Sequence, residues 1–269
     1  MENFKLFVTF HKAFPFHADS SWQARAAYEP QLDLGGDYIC TSEFAPNIAE
    51  LLPGGEQVDP FRVGYLAQTI ATEYWILHHL RDVRYVGVTG YRRYPLFAHD
   101  RCDVRPVLPA RPTPENLQAI GSDAHIAVME SILAVHDVIV PRALTHPLSV
   151  RDQYLEEQLQ STWDLFIDCV AEVVPEHRHL LPWFDLTFTA SFCGPMGMTP
   201  LGIFKEYADS YARIVSLMCQ RAERPFVVVD PNARMKTDRW IGYLAERYYP
   251  FFLFANRLTT FQVPTVYLD

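Results

Sequence analysis

The chain has 269 residues, 49% of them hydrophobic and 14% aromatic, which suits one large core or two small ones. Its 23 Lys and Arg against 32 Asp and Glu leave a formal charge of -9, which argues against non-specific binding to nucleic acid because that needs a basic surface, while leaving room for a local basic pocket that selects an anionic small ligand. No apolar run approaches the roughly 20 residues of a membrane-spanning helix, and the N-terminus has no signal-peptide pattern, so a soluble, cytoplasmic protein is expected.

Residues 4–10 (FKLFVTF) read as a first strand and run directly into His11 and Lys12. An α/β fold places ligand-contacting loops at such strand ends. Residues 37–41 follow the Gly35-Gly36 turn as a short second strand. Asp59 as N-cap and Pro60 at the first helical position open a helix to about Arg81. Leu66, Ile70, Tyr74, Leu77 and Leu80 form its apolar stripe, and Glu73 projects into the middle of that stripe. A carboxylate there is paired, hydrogen-bonded or lining a cavity. A buried structural ion pair and a functional role both remain open.

Residues 85–89 read as a third strand, punctuated by Gly90 and followed by Tyr91-Arg92-Arg93-Tyr94-Pro95. Arginine cannot shed its charge, so at the end of a buried strand it calls for an anion, and phosphate is the obvious one. The alternative is a solvated pair, or ion pairs with Asp100 and Asp103 just downstream. The Pro-rich stretch 105–114 is a lid or insertion rather than a domain linker.

Residues 137–140 (DVIV), closed by Pro141, are a fourth strand, and 149–174 carry a long helical pattern ending at Pro175. From 201 to 221 the helical period is clear, with Phe204, Tyr207, Ala208, Tyr211, Val215 and Met218 on one face. Residues 226–229 are strand-like, a last helix begins near Asp238, and 263–268 are expected to return as an edge strand. In the last helix Trp240, Leu244, Tyr248 and Phe251 form the buried side, while Arg239, Tyr243, Glu246 and Arg247 share an adjoining arc. Alternation of this kind predicts an α/β fold with a mainly parallel central sheet flanked by helices, organised as a single domain over residues 1–269.

The five cysteines (Cys40, Cys102, Cys169, Cys193, Cys219) form no C-x-x-C pair, and the His pairs at 78/79 and 177/179 lack i, i+4 spacing. Reduced thiols and no structural metal are expected.

Several blocks together resemble a bacterial family long labelled a domain of unknown function, found in capsular-polysaccharide and O-antigen biosynthesis. Tyr85-Val86-Gly87 with Tyr91-Arg92-Arg93-Tyr94 is similar to its YIGL-HYRRYF signature, and residues 239–247 (RWIGYLAER) to its RVYGYLSER. His11-Lys12, Asn47-Ile48, Tyr74-Trp75, residues 137–141, residues 203–207 and residues 264–268 resemble further landmarks in the same order. The chain departs from the pattern at Gly90, where the family has His, and at Thr69, where it has Glu, although Glu73 lies one turn later. Residues 191–199 (SFCGPMGMT) match the HMFNMFI segment poorly, which points to a different acceptor.

The resemblance implies a GT-A-like glycosyltransferase that moves a sugar, galactofuranose or another hexose, from a nucleotide-diphosphate donor. It implies a uridine-linked donor, and as acceptor an oligosaccharide or lipid-linked surface glycan at the inner face of the cytoplasmic membrane. His11, Lys12, Arg92, Arg93, Arg239, Tyr243 and Arg247 are then the donor-binding candidates, and Asp100, Asp103, Glu73 and Glu246 compete as catalytic carboxylate. Such a transfer needs charge stabilisation on the leaving diphosphate, from arginines or a divalent metal (Mg or Mn), and an inverting enzyme needs a base. No D-x-D follows a hydrophobic strand, and D-x-x-D at Asp100 and Asp103 is the nearest substitute, so arginine stabilisation is favoured. An acid flanked by arginines is a poorer base, which makes Glu246 an orienting residue. The alternative from another class is a catalytically inactive glycan-binding or scaffold subunit, favoured by the changes at Gly90 and Thr69.

Overall fold

The computed structural model describes residues 2–10, 22–26, 69–90, 93–96, 107–110, 123–186, 190–191, 196–222 and 240–268. Strands β1 (Glu2–Phe10) and β3 (Val83–Gly90) pair in parallel from Glu2 opposite Val83 to Thr9 opposite Gly90. β2 (Trp22–Ala26) adds in parallel on the far side of β1. β3 is therefore an interior strand, with Tyr85, Val86 and Val88 buried. Gly90 is the last residue of β3, where the sequence places the end of the strand.

Helix α1 (Thr69–His79) delivers the chain into β3. Its end is marked by Arg81, whose guanidinium donates to the Leu80 and His78 carbonyls at 2.7 Å each. Asp82 then takes a left-handed φ of 61°, a conformation that commonly ends helices. The start expected at Asp59-Pro60 and the strands expected at 37–41 and 226–229 lie outside the described residues.

Beyond β3 the chain forms β4 (Arg93–Pro95), β5 (Val107–Ala110) and α2 (Asp123–Leu133), then the buried strand β6 (Val138–Pro141) and β7 (Leu144–Thr145). The long helix expected over 149–174 is instead two, α3 (Val150–Leu155) and α4 (Gln160–Val173), followed by a 3-10 helix at Pro175–Asp185. The reason is geometric. Tyr154 and Trp163 are nine residues apart, so a straight helix would place them on opposite sides. The break lets both bury, with their rings 5.1 Å apart. Ser149 caps α3 by accepting from the Asp152 amide at 3.0 Å.

After β8 (Ala190–Ser191), β9 (Thr199–Pro200) pairs antiparallel to β3 and leads into α5 (Leu201–Arg221). All six residues of the expected apolar face of α5 are buried. Helix α6 (Trp240–Ala255) is buried on nearly every side rather than along one stripe, while Trp240, expected in the core, is only half-buried.

The chain returns in β10 (Thr260–Val263), parallel to β6, and β11 (Thr265–Leu268). β11 is not an edge strand: it sits between β4 and β5, antiparallel to the first and parallel to the second. The α/β class stands. The sheets among the described residues are small and mixed in sense, the largest having order β2-β1-β3-β9.

Candidate functional site

Arg93 begins β4, three residues beyond the carboxyl end of the interior strand β3, and its side chain is exposed. The Thr89 hydroxyl donates to the Arg93 carbonyl and ties the turn to the strand end. Tyr94, next in line, is buried, and burial pushes its phenol well above the ordinary range. The pleat thus alternates an outward arginine with an inward tyrosine. Arg92 lies outside the described residues, as do His11, Lys12, Asp100, Asp103 and Arg239.

Tyr243, Glu246 and Arg247 stand on α6. Arg247 is 8% exposed, an unusual depth for a guanidinium. Its Nη1 donates to the Tyr243 carbonyl at 3.0 Å and to Glu246 at 2.9 Å. Its Nη2 reaches Gln153 Oε1 on α3 at 3.4 Å. The guanidinium carbon lies 5.4 Å from the Tyr243 ring centroid and 6.0 Å from that of Tyr154. Glu246 keeps 46% of its side chain in solvent. The arc read from sequence is therefore the boundary between core and surface. Among the described residues its guanidinium engages α3, not Arg93.

Glu73 is 1% exposed on α1, facing α5 and α6. Its charge adds to burial in raising the phenols of Tyr207, Tyr211 and Tyr249, with burial the larger cause in each. The carboxylate is thus set among buried phenols. Tyr249 is pushed up to about 12 while sharing a 3.1 Å hydrogen bond with Thr199. Tyr211 donates to the Ile241 carbonyl at 2.5 Å, and its ring stacks on Tyr207 and Tyr248 with centroids 6.2 and 5.5 Å away. Tyr154 also acts electrostatically on Tyr211. A polar seam therefore runs through the helical core from Glu73, through stacked tyrosines, to Tyr154 and Arg247.

Sequence reading missed Gln153, Tyr154 and the phenols around Glu73. Tyr207 and Tyr211 were legible only as core, because i, i+4 spacing reports a buried face and not what the hydroxyls meet.

A separate cleft of about 470 Å³ lies over α4, lined by Arg151, Trp163, Asp164, Asp168, Phe184 and Asp185 among others. Three carboxylates against one arginine suit a neutral, hydroxyl-bearing ligand better than a diphosphate. Among the described residues no group of three or more His, Cys, Asp or Glu side chains could hold a metal ion, and no helix is long and apolar enough to cross a membrane.

The whole chain superposes on the apo structure of the WbbM bifunctional glycosyltransferase with a TM-score of 0.73 at 16% identity. It spans 46% of that longer chain, and the likeness at this identity is one of fold. No curated protein matches the sequence. Residues 69–257, which carry α1, β3 and every residue of the α3–α6 cluster, match the family described as the domain of unknown function DUF4422. The chain belongs to that family.

Proposed function

We propose that the chain is a glycosyltransferase that moves a hexose from a uridine-diphosphate sugar to an oligosaccharide or lipid-linked surface glycan. The observation that carries the reading is the fold likeness to a glycosyltransferase over the full length of this chain. The placement of Arg93 beyond the carboxyl end of an interior strand supports it, since open α/β sheets bind ligands there.

In this reading residues 1–269 work as one catalytic domain at the inner face of the cytoplasmic membrane. Arg92, Arg93, Arg239 and Arg247 supply the positive charge that a departing diphosphate requires, with His11, Lys12 and Tyr243 bordering it. Glu246 orients a sugar hydroxyl or an arginine. The base falls to Asp100, Asp103 or Glu73, the last of which would have to be reached through the tyrosines that enclose it.

A thermal-shift screen against uridine diphosphate and its sugars tests donor binding, because a ligand of the folded state raises the melting temperature. Arg92→Lys and Arg93→Lys should each weaken uridine-diphosphate binding by about tenfold with the melt of the free protein unchanged, since lysine lacks the paired donors. Unchanged affinity in both variants would remove these arginines from the donor site. Release of uridine diphosphate in the presence of acceptor distinguishes the enzyme from a glycan-binding scaffold, the reading favoured by Gly90 and Thr69.

A further inference from the structure

A guanidinium has five N–H donors, and in Arg247 they are unevenly used. Nη1 spends both of its hydrogens, on the Tyr243 carbonyl and on Glu246. Among the described residues Nη2 makes one long contact, 3.4 Å to Gln153, and the buried Nε finds no acceptor. Nε–H and the neighbouring Nη2–H point the same way, and such an edge of a guanidinium grips a carboxylate or phosphate with two parallel bonds. In Arg247, 91% buried by its side chain, that edge is nearly empty.

Tyr154 presents the same deficit from another helix. It is fully buried, its ring packs on Trp163 at 5.1 Å and faces the Arg247 guanidinium, and its buried hydroxyl has no hydrogen-bond partner among the described residues. Phenylalanine would keep both ring contacts without burying an unpaired hydroxyl. Nothing in the packing of α3 therefore accounts for the oxygen. Two buried donors without acceptors, adjacent and on different helices, are complementary to a single acceptor with several oxygens.

We propose that the Nε/Nη2 edge of Arg247 and the Tyr154 hydroxyl together bind one phosphate of the donor diphosphate, making Tyr154 a substrate-binding residue. The inference rests on the nucleotide-sugar reading. A tetrahedral phosphate offers two oxygens to the fork and a third, out of the guanidinium plane, to the phenol, which a planar carboxylate does not. The group enters past Glu246, whose side chain is already half in solvent.

Calorimetric titration of the full chain with uridine diphosphate, inorganic pyrophosphate and uridine tests this. Tyr154→Phe should bind uridine diphosphate and pyrophosphate about tenfold or more weakly, the loss expected of one hydrogen bond to a charged group. Its affinity for uridine should be unchanged and its melting temperature no lower than that of the parent. Arg247→Lys, which keeps the charge and loses the fork, should show the same selective loss. Parent-like binding of both phosphates by Tyr154→Phe overturns the proposal, as does a loss that extends to uridine. If the parent chain binds pyrophosphate but not uridine diphosphate, the nucleotide reading falls while the phosphate site survives; binding of neither overturns both.

Discussion

Gly197 shows how a single residue without a side chain can hold two strands together. Its φ is 117°, outside the range that L-residues readily adopt, and a Cβ built there would lie 2.0 Å from the Ile139 carbonyl oxygen. The absence of that atom lets Met198 and Ile139 exchange both backbone hydrogen bonds at 2.9 Å, joining the approach to β9 to strand β6. Gly197→Ala therefore meets backbone strain and a backbone clash together, and should cost on the order of 3 kcal/mol in a chemical-denaturation experiment. Gly202→Ala is the matched control. Its Cβ would meet nothing within 4 Å, so alanine in the first turn of α5 should be neutral or slightly stabilising.

The elements are held at their ends by small polar devices rather than by propensity alone. Asp137, just before β6, is the clearest: its carboxylate accepts from the Thr259 hydroxyl at 2.6 Å and from the Thr259 amide at 2.7 Å. The Thr259 hydroxyl and then its amide hold this carboxyl below its ordinary 3.8. A group whose folded value is depressed binds fewer protons in the folded state than in the unfolded one near that pH. Its stabilisation is present above the unfolded value and is lost as pH falls through the folded one. Asp137→Asn should thus lower the melting temperature at neutral pH and show a shallower loss below pH 3.8, measured as melting temperature against pH. The split between α3 and α4 is of another kind. No Gly or Pro marks residues 156–159, so the break follows from the need to bury Tyr154 and Trp163 together.

Across the whole molecule, the interior is rich in acids that burial keeps protonated. Burial raises Cys169 from 9.0 to about 11 and Cys219 to about 12, and raises Tyr248 and Tyr249 from 10.0 to about 12. Both thiols are free, and at these values they are poor nucleophiles at neutral pH. Because the folded state holds these protons more tightly, their contribution is complete below pH 9 and declines as pH rises towards 12. Stability should therefore fall along an alkaline limb. Phenolate absorbance of the buried tyrosines should appear together with loss of helical circular dichroism; phenolate formation in a chain that keeps its helical signal would contradict this.

The sequence by itself determined the local elements and their buried faces. The period of α5, the strand over 85–89, the DVIV strand and the mixed character of the arc at Tyr243, Glu246 and Arg247 were all legible, because side-chain spacing records which side of an element avoids water. Only the tertiary structure decided what those faces meet. Strand pairing is made by N–H and C=O groups that nearly every residue carries, so nothing in residues 265–268 says that β11 lies between β4 and β5. Gln153 and Arg247 are 94 positions apart and touch only because α3 breaks away from α4. The same reason hid Tyr154. A buried hydroxyl and a ring in the core have one sequence signature, and its unpaired state exists only once the neighbours have been placed around it.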